Sequence, residues 1–423
     1  MRTLLKSPLI LDPAQGIEAV GDILLEGEKI AAIGGEISAD DCQVIDCRGL
    51  TAAPGLVDMH VHLRDPGQTH KEDLFTACRA AAAGGVTSLL AMPNTQPAMD
   101  SPALVEDLLR RAQSADNTVY TSACATMGLA GQECADYAAL RKAGAIALSD
   151  DGKPVGNTRC LLEALRAAQE LGMVFAAHCE DLDLARGGLM NEGAVSARLG
   201  VPGVPAAAED CGVAREIAAA ASIGAPVHIC HVSTKGSVEL IRDAKRRGVR
   251  VTAETCPHYL LLTDEALESR DADFRMNPSL GSREDQAALV EGLADGTLDA
   301  ISTDHAPHTP EEKADFAAAP NGSIGMETSL AAVLTALGGR LSVADIIRKM
   351  SVNPAKILGI PAGSLTVGSA ADIVLFDRSR KWTVDPAKLH GKSRNTPFKG
   401  MELTGRVVRT FSRGRLVFEL KES

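Results

Sequence analysis

Two histidines early in the chain have the spacing of a metal chelate. His60 and His62 belong to an apolar segment that starts at Leu56 and is predicted to be a β-strand. Alternate residues of a strand point to the same face, so both imidazoles project to one side together with Asp58. Two imidazoles on one face can bind one ion, but such a pair also occurs among ordinary core and surface histidines. The pair needs further ligands nearby to carry a prediction.

Further side chains of metal-binding type come at the ends of other apolar segments. They are Asp150 and Asp151 after the fourth predicted strand, His178 at the end of the fifth, His231 near the end of the sixth and Asp304 after the eighth. If the strands close into a barrel, all these ends lie on the face where barrel enzymes build their active sites. Chance would rarely bring so many such side chains to one face, so we expect a catalytic metal site there.

Imidazole nitrogen and carboxylate oxygen together suit Zn²⁺ and leave positions open for water and substrate. We expect one or two zinc ions per subunit, with two preferred. The predicted ligands are His60, His62 and Asp304 for one ion, His178 and His231 for the other, and Asp151 as the bridge. Two such ions would lower the pKa of a shared water. Asp304 is then predicted to accept the water's proton and return it to the leaving nitrogen.

Neighbouring residues of similar type are not assigned to the metal site. Asp150 has the opposite strand parity to Asp151 and is predicted to be structural or to support the ligands. His305 has the wrong parity beside Asp304. Five histidines receive no predicted role and are expected in the core or at the surface: His70, His228, His258, His305 and His390.

The elements that must position these residues alternate regularly along the chain. Short apolar runs, polar turns and longer amphipathic stretches recur, which is typical of a parallel sheet with helical crossovers. Eight strands close a (β/α)8 TIM barrel. The predicted strands are Leu56–Val61, Val86–Met92, Thr118–Ala125, Ala145–Leu148, Val174–Ala177, Val227–Val232, Arg250–Thr255 and Asp299–Ser302. Helices are predicted at 158–171, 209–223 and 235–247, with Gly172, Gly224 and Gly248 as their C-caps.

Both ends of the chain have a different pattern, in which short apolar runs alternate with glycine-containing turns. This pattern predicts β-strands. Each end is too small for a core of its own, so the two are expected to form one small β-sandwich-like domain beside the barrel. The predicted units are residues 1–54 and 361–423 for this domain and 55–360 for the barrel.

The composition narrows the possible functions. The chain has 423 residues, 45% of them apolar, and a net charge of -12, which disfavours binding to nucleic acid or to anionic membranes. Three Tyr, one Trp and eight Phe offer few stacking platforms for single strands. No signal peptide or membrane span is predicted, and the ten scattered cysteines are expected to be reduced thiols. We therefore expect a cytoplasmic protein with a small-molecule substrate.

Several motifs resemble a known enzyme family. The segment Pro54–Arg64 resembles the opening signature of the amidohydrolase superfamily. Segments 84–87, 92–95, 149–152, 178–181, 231–235, 254–258 and 303–308 resemble the class I bacterial dihydroorotases, in order over nearly the whole chain. The resemblance implies the reversible hydrolysis of (S)-dihydroorotate to N-carbamoyl-L-aspartate in pyrimidine (UMP) biosynthesis.

The resemblance also implies a set of substrate-binding residues: His62, Arg64, Asn94, Asn277, His308, Asn321 and Gly322. A guanidinium group suits the substrate carboxylate, although an exposed loop arginine is the alternative for Arg64. The chain departs from the family at Ser279 and Gly281, where proline and arginine are usual, and at Asn321, where an aromatic residue is usual. These departures concern contacts around the substrate ring. Residues 309–320 are predicted to form a mobile loop over the substrate.

Other functions remain open from the sequence. Dihydropyrimidinases, hydantoinases and allantoinases share the scaffold and use a carboxylated lysine as the bridging ligand, a place that Lys153 could take instead of Asp151. A second alternative is a non-catalytic scaffold for aspartate transcarbamoylase, but such relatives have lost metal-binding histidines that this chain keeps. A homodimer and an association with aspartate transcarbamoylase are the expected protein contacts.

Overall fold

The computed structural model describes residues 2–38 and 40–421, and its first seven strands lie outside the barrel. They are β1 (Arg2–Lys6), β2 (Leu9–Asp12), β3 (Ile17–Val20), β4 (Asp22–Glu26), β5 (Lys29–Gly34), β6 (Gln43–Asp46) and β7 (Thr51–Pro54). Four of them form a sheet in the order β5-β4-β1-β6. The outermost residues of the predicted terminal units, Met1 and Ser423, lie outside the described residues.

Eight parallel strands form the predicted barrel. They are β8 (Leu56–Val61), β9 (Val86–Ala91), β10 (Thr118–Cys124), β11 (Ala147–Ser149), β12 (Val174–Ala177), β15 (Val227–Ile229), β16 (Val251–Thr255) and β17 (Ala300–Ile301), with the short pair β13 (Met190–Asn191) and β14 (Gly203–Val204) in a loop. Each barrel strand pairs with the next one along the chain. The two outermost strands meet just beyond β17, where the His62 amide donates to the His305 carbonyl at 2.9 Å. The (β/α)8 prediction is confirmed.

A buried carboxylate strengthens this closure. Asp58 on β8 accepts hydrogen bonds from the backbone amide and the hydroxyl of Thr303, at 3.1 and 2.5 Å. Thr303 follows β17, so the contact joins the first barrel strand to the last. Asp58 therefore supports the barrel closure beneath the strand ends.

Helices surround the barrel. They are α1 (Leu74–Ala83), α2 (Pro102–Ala112), α3 (Tyr137–Ala143), α4 (Thr158–Leu171), α5 (Leu182–Ala185), α6 (Ala194–Leu199), α7 (Ala207–Ile223), α8 (Lys235–Arg246), α9 (Pro257–Leu261), α10 (Arg283–Asp295), α11 (Ser329–Leu337), α12 (Val343–Ile347) and α13 (Asn353–Leu358). Helix α4 shows why the predicted helices form: Leu161, Ala164, Leu165 and Ala168 place its apolar stripe in the core. It ends at Gly172, whose φ of 63° is the left-handed conformation that glycine adopts without a Cβ clash.

The two ends of the chain form one β-structure, as expected. The C-terminal strands are β18 (Ile373–Thr383), β19 (Glu402–Ser412) and β20 (Arg415–Glu419). They join three N-terminal strands in a sheet of the order β20-β19-β18-β7-β2-β3. Leu5, Ile23, Ile373 and Phe411, drawn from both sheets, share one apolar cluster. The pairing buries apolar surface that neither end could cover alone.

Other expectations about the chain concern its cysteines and membrane contact. Seven cysteines are buried as thiols, in agreement with the expected packing: Cys47, Cys78, Cys124, Cys160, Cys179, Cys230 and Cys256. Within residues 2–38 and 40–421, none of the helices combines the length and the apolar character that a membrane crossing requires.

Candidate active site

Six predicted ligands come together at the carboxyl ends of the barrel strands. His60 lies on β8, and the other five follow the ends of their strands: His62, Asp151, His178, His231 and Asp304. All six are buried. Two groups have ligand atoms within 4.8 Å of one another, and Asp151 belongs to both: one contains His60 and His62, the other His178 and His231.

The carboxylate of Asp151 lies at the centre of this cluster. Its Oδ1 is 3.2 Å from His60 Nε2 and 3.5 Å from His231 Nε2. Its Oδ2 is 3.5 Å from His62 Nε2. Asp304 lies on one side only, with Oδ1 at 3.0 Å from His62 Nε2 and 3.7 Å from His60 Nε2. The arrangement has the form of a shared carboxylate between two groups of imidazoles.

Three cavity residues have left-handed backbone conformations that are uncommon outside glycine. The φ angles are 57° at Arg64, 37° at His231 and 47° at Asp304. His228 and Cys230 alternate to one face of β15, so His231 would point to the opposite face if the strand continued. The left-handed turn redirects it toward the cluster, and the predicted strand Val227–Val232 therefore ends earlier, at Ile229. Such conformations cost free energy and concentrate at functional sites.

The residues fit a divalent cation. His60 Nε2 and Asp151 Oδ1 are buried, and neither has a hydrogen-bond partner among the described residues. The ring nitrogens His178 Nδ1 and His231 Nε2 face each other at 2.9 Å. Burial alone would raise the pKa of Asp151, but the surrounding imidazoles, His60 foremost, hold it well below its ordinary value. Nitrogen and oxygen atoms that converge without other partners are a donor set suited to zinc.

Hydrogen bonds on the far side of two rings set their orientation. Asn94 Oδ1 contacts His62 Nδ1 at 2.8 Å, so the predicted substrate residue Asn94 also holds a ligand. Glu180 Oε2 contacts His178 Nε2 at 3.2 Å. An acceptor on one ring nitrogen places the hydrogen there and leaves the lone pair of the other for a metal.

A cavity of about 240 Å³ opens above the cluster. Its lining contains all seven residues that the family resemblance implied for the substrate: His62, Arg64, Asn94, Asn277, His308, Asn321 and Gly322. Asp151, His178, His231 and Asp304 also line it, whereas His60 lies deeper. A Cβ at Gly322 would come within 2.7 Å of Ala306 and 3.1 Å of His308, so this wall requires glycine.

Arg64 is a buried cation in the cavity wall, which excludes the alternative of an exposed loop arginine. It is 8% exposed, and its Nε donates to the Pro307 carbonyl at 3.1 Å. Its Nη2 lies 3.3 Å from His308 Nε2. Burial and the Arg64 charge lower the pKa of His308 to about 3, so this imidazole is neutral. Its Nε2 also lies 2.9 Å from the Asn321 carbonyl, which can only accept a hydrogen bond. Among the described residues, no carboxylate lies within 4.0 Å of the guanidinium.

Asp150 and Lys153 lie outside the cluster. Asp150 accepts from the amides of Ala125 and Thr126 at 2.8 and 3.0 Å, which is the structural role predicted from its parity. Lys153 is exposed and does not line the cavity. Asp151 occupies the central position that a carboxylated Lys153 would have to take.

The loop that follows His308 is fastened beside the cavity. Within residues 309–320, the Lys313 ammonium donates to the carbonyls of Ala272, Arg275 and Pro320 at 3.0, 3.2 and 2.8 Å. The predicted mobile loop thus has a buried anchor. It leads directly into Asn321 and Gly322, so the anchor also places this wall of the cavity.

Sequence reasoning missed the carboxylates that contact the ligands. Glu254 lies 3.1 Å from His60 Nδ1, although 194 positions separate the two residues. The available signal was a glutamate within Val251–Thr255, a strand whose other side chains are uncharged, because a buried charge there needs a partner. Glu180 had a weaker signal, two positions after His178.

Comparisons with known proteins agree with this geometry. The model of the amidohydrolase family matches residues 51–417. The chain belongs to the amidohydrolase family. This amidohydrolase is 48% identical to a dihydroorotase of Syntrophus aciditrophicus over 99% of the chain and 100% of the relative. A dihydroorotase of Citrifermentans bemidjiense is 47% identical with the same coverage.

Solved structures of related amidohydrolases have the same architecture. The L-hydantoinase (dihydropyrimidinase) of Arthrobacter aurescens matches with a TM-score of 0.89 and 27% identity, covering 99% of this chain and 96% of the other. A dihydropyrimidinase of Brevibacillus agri matches with a TM-score of 0.87 and 27% identity, covering 99% and 95%. The barrel with its flanking β-structure is therefore a shared scaffold of cyclic amide hydrolases.

Proposed function

We propose that this amidohydrolase is a zinc-dependent dihydroorotase, which interconverts (S)-dihydroorotate and N-carbamoyl-L-aspartate. The observation that carries the proposal is the buried Arg64 guanidinium in the cavity wall, which has no carboxylate within 4.0 Å in the described part of the chain. Asp304, Asp151 and Glu312 act on this buried charge only from beyond ion-pair distance, so the cavity favours a substrate that brings its own carboxylate into contact. The two dihydroorotase relatives at 47% and 48% identity support the same substrate.

In this proposal the metal ligands are those of the central cluster: His60, His62, His178, His231 and Asp304, with Asp151 as the shared ligand. Zinc bound there would polarise the amide carbonyl and make water nucleophilic near neutral pH. Two ions are proposed because the cluster divides into two groups around Asp151. The Asp151 carboxylate is ionised and acceptor-only, which suits a bridging position.

Asp304 is proposed to move the proton. Burial would raise its pKa, but His62 and the neighbouring imidazoles lower it, so the carboxylate is ready to accept a proton from the attacking water. The same carboxyl group then returns the proton to the amide nitrogen as the ring opens. Arg64 would hold the substrate carboxylate, and the Pro307 carbonyl, which accepts from the guanidinium Nε, would orient it.

Asn277 and Gly322 are proposed to shape the rest of the substrate site. Asn277 donates to Glu180 at 3.2 Å while it also lines the cavity. Gly322 exposes backbone at the wall, where a side chain would clash with His308. The departures at Ser279 and Gly281 lie along another edge of the same region, where both line a second, smaller pocket beside Asn277.

The test of the proposal is a substrate comparison with an Arg64→Ala variant. The zinc-loaded wild type is expected to hydrolyse dihydroorotate in preference to hydantoin and allantoin. Loss of charged hydrogen bonds worth about 1.5–3 kcal/mol should lower kcat/KM for dihydroorotate by about 10-fold to 100-fold. Turnover of the uncharged hydantoin is the internal control and should change little.

The contrary result is equally clear. If the zinc-loaded wild type does not hydrolyse dihydroorotate but hydrolyses hydantoin, the chain is one of the other cyclic amidases. Metal content measured on the same samples separates a wrong substrate from an empty site. Several sequence-based expectations stay predictions: the cytoplasmic location, the homodimer, the association with aspartate transcarbamoylase and the unit boundaries at 54 and 360.

A further inference from the structure

A line of polar side chains runs down the barrel interior beneath His60. On β16, Thr252 and Glu254 point to the same face, and Thr252 is paired in register with His228 on β15. Glu254 is 0% exposed, and so is His60 above it. His228 is 2% exposed and lies below Glu254. Strand alternation thus stacks an imidazole, a carboxylate and a second imidazole along the barrel axis.

The contacts along this line are specific. Glu254 Oε1 lies 3.1 Å from His60 Nδ1. Glu254 Oε2 lies 3.4 Å from His228 Nε2, an ion-pair distance. His228 Nδ1 lies 2.9 Å from the Thr252 hydroxyl. Each carboxylate oxygen therefore faces one imidazole, and the chain of contacts ends at a hydroxyl.

The carboxylate determines which nitrogen of His60 carries the hydrogen. An ionised carboxylate only accepts, so the hydrogen of His60 belongs on Nδ1, toward Glu254. Nε2 faces another acceptor, Asp151 Oδ1, at 3.2 Å on the cavity side, and a cation bound between these two atoms would take the place of the Nε2 hydrogen. His60 Nε2 is also one of the buried atoms without a hydrogen-bond partner among the described residues. Both facts match a ring prepared to give its Nε2 to a cation.

We propose that Glu254 is the positioning residue of His60, that it fixes the ring as the Nδ1–H tautomer for metal binding, and that His228 holds Glu254 in place. This inference rests on the proposed function, in which His60 is a metal ligand. Glu254 touches neither the cavity nor the reacting atoms, so it acts through His60. The line also gives His228 a role, which the sequence did not.

A different use of the same residues is a metal site formed by His60, Cys230 and Glu254, whose ligand atoms lie within 4.8 Å of one another. In that case His60 would present Nδ1 to the metal instead of Nε2. The Glu254 carboxylate already has a partner for each oxygen, since Oε1 lies 3.1 Å from His60 Nδ1 and Oε2 lies 3.4 Å from His228 Nε2. The geometry favours the positioning role, and a Cys230→Ala variant separates the two.

Glu180 provides the matched control. It contacts His178 Nε2 at 3.2 Å, as Glu254 contacts His60, but on the other side of Asp151. Glu254→Gln and Glu180→Gln therefore remove the same charge next to two different imidazoles. If each carboxylate serves its own ion, the two variants should weaken different sites, and their combination should weaken both.

The experiment is a zinc titration of the full-length, metal-free protein against a competing chelator. We expect Glu254→Gln to weaken one of two zinc sites by about 10-fold to 100-fold, the usual cost of losing such a support, with the other site unchanged. Glu254→Asp should recover part of the affinity because the carboxylate remains. His228→Gln should weaken the same site by a smaller factor, about threefold to tenfold.

A second readout is spectroscopic. Nitrogen-15 labelled histidine in the zinc-loaded protein should show the ring hydrogen of His60 on Nδ1 in the wild type and a mixture of the two ring nitrogens in Glu254→Gln. The positioning role is wrong if zinc affinity stays within about twofold of wild type, or if the tautomer does not change. Loss of an ion in Cys230→Ala would overturn it in favour of the alternative metal site.

These outcomes remain distinct from failure of the proposed function. Zinc bound with the expected affinities but no turnover of dihydroorotate would reject the substrate and leave the Glu254 inference standing. If Glu254→Gln does not fold, Glu254→Asp and His228→Gln carry the test, since both keep more of the buried hydrogen bonding. Unfolding curves of the metal-free variants identify that case.

Discussion

The two halves of the metal-type cluster share Asp151 but are supported in different ways. On the His60 side the supporting carboxylate, Glu254, has a side chain that is 0% exposed and lies beneath the ligands. On the His178 side the supporting Glu180 is 11% exposed at the side chain and bonds to Asn277, which lines the cavity. Residues of the barrel interior therefore orient His60, whereas the support of His178 is connected to the residues that line the cavity.

Because the two groups of ligands are supported differently, only the His178 group shares a supporting residue with the substrate cavity. Support from inside the barrel is present whether or not substrate is bound, because strands β15 and β16 hold it. Support through Asn277 shares a residue with the cavity, so substrate contacts and the orientation of His178 are coupled. Each half can therefore be disturbed separately.

The largest effect is expected from Asp304→Asn on the His60 side. The amide cannot accept the proton of the attacking water, so kcat should fall by about 10²-fold to 10⁴-fold, the contribution of general acid-base catalysis. Zinc at the His178 side should remain because Asp304 has its close contacts with His62 and His60. Steady-state kinetics with metal analysis on the same sample measures both, and near-normal turnover would remove Asp304 from the proton transfer.

An intermediate effect is expected on acid stability. Burial alone would raise the pKa of Glu254, but His228 and His60 hold it far below the ordinary 4.5 of glutamate. The unfolded chain therefore binds a proton that the folded state does not, and stability falls as the pH drops below about 4.5 toward the folded pKa. Above that range the stabilisation is complete.

Glu180 sharpens this prediction. His178 also lowers its pKa, against the effect of burial, but its carboxylate is partly exposed and so more screened. Urea unfolding of the metal-free protein at about pH 6 and pH 4 should show that Glu254→Gln removes more of the pH dependence than Glu180→Gln. Equal slopes in the two variants would contradict the difference in support between the halves.

Much of the fold and of the ligand set could be predicted because their signals are local. The strands Leu56–Val61 and Val174–Ala177 and the helix Thr158–Leu171 have the predicted bounds, since apolar periodicity defines them. The ligands could be placed because parallel strands in a barrel share one carboxyl-terminal face. Neither apolar periodicity nor the position of a residue at a strand end requires knowledge of contacts between distant segments.

The features that could not be predicted from the sequence depend on contacts between distant segments or on backbone angles. The strand predicted to reach Val232 ends at Ile229 because His231 has a left-handed φ, which hydrophobic periodicity does not encode. The role of Glu254 depends on His60, 194 positions away, and on His228, to which the sequence assigned no function. A charged residue in a buried strand indicates that it has a polar partner, but the sequence does not identify that partner.

The smallest effect is expected from Asn277→Ala on the His178 side. Its amide donates to Glu180 Oε2 at 3.2 Å, so the change removes one hydrogen bond, worth about 0.5–1.5 kcal/mol, or up to roughly tenfold in KM. Zinc affinity should change less than in Glu180→Gln because the carboxylate still holds His178. Asn321→Ala, at an exposed position of the cavity wall, is the matched control for loss of an amide side chain. If Asn277→Ala instead lowered zinc affinity as much as Glu180→Gln, the His178 half would be held by the Asn277 contact itself, and the contrast in depth between the two halves would disappear.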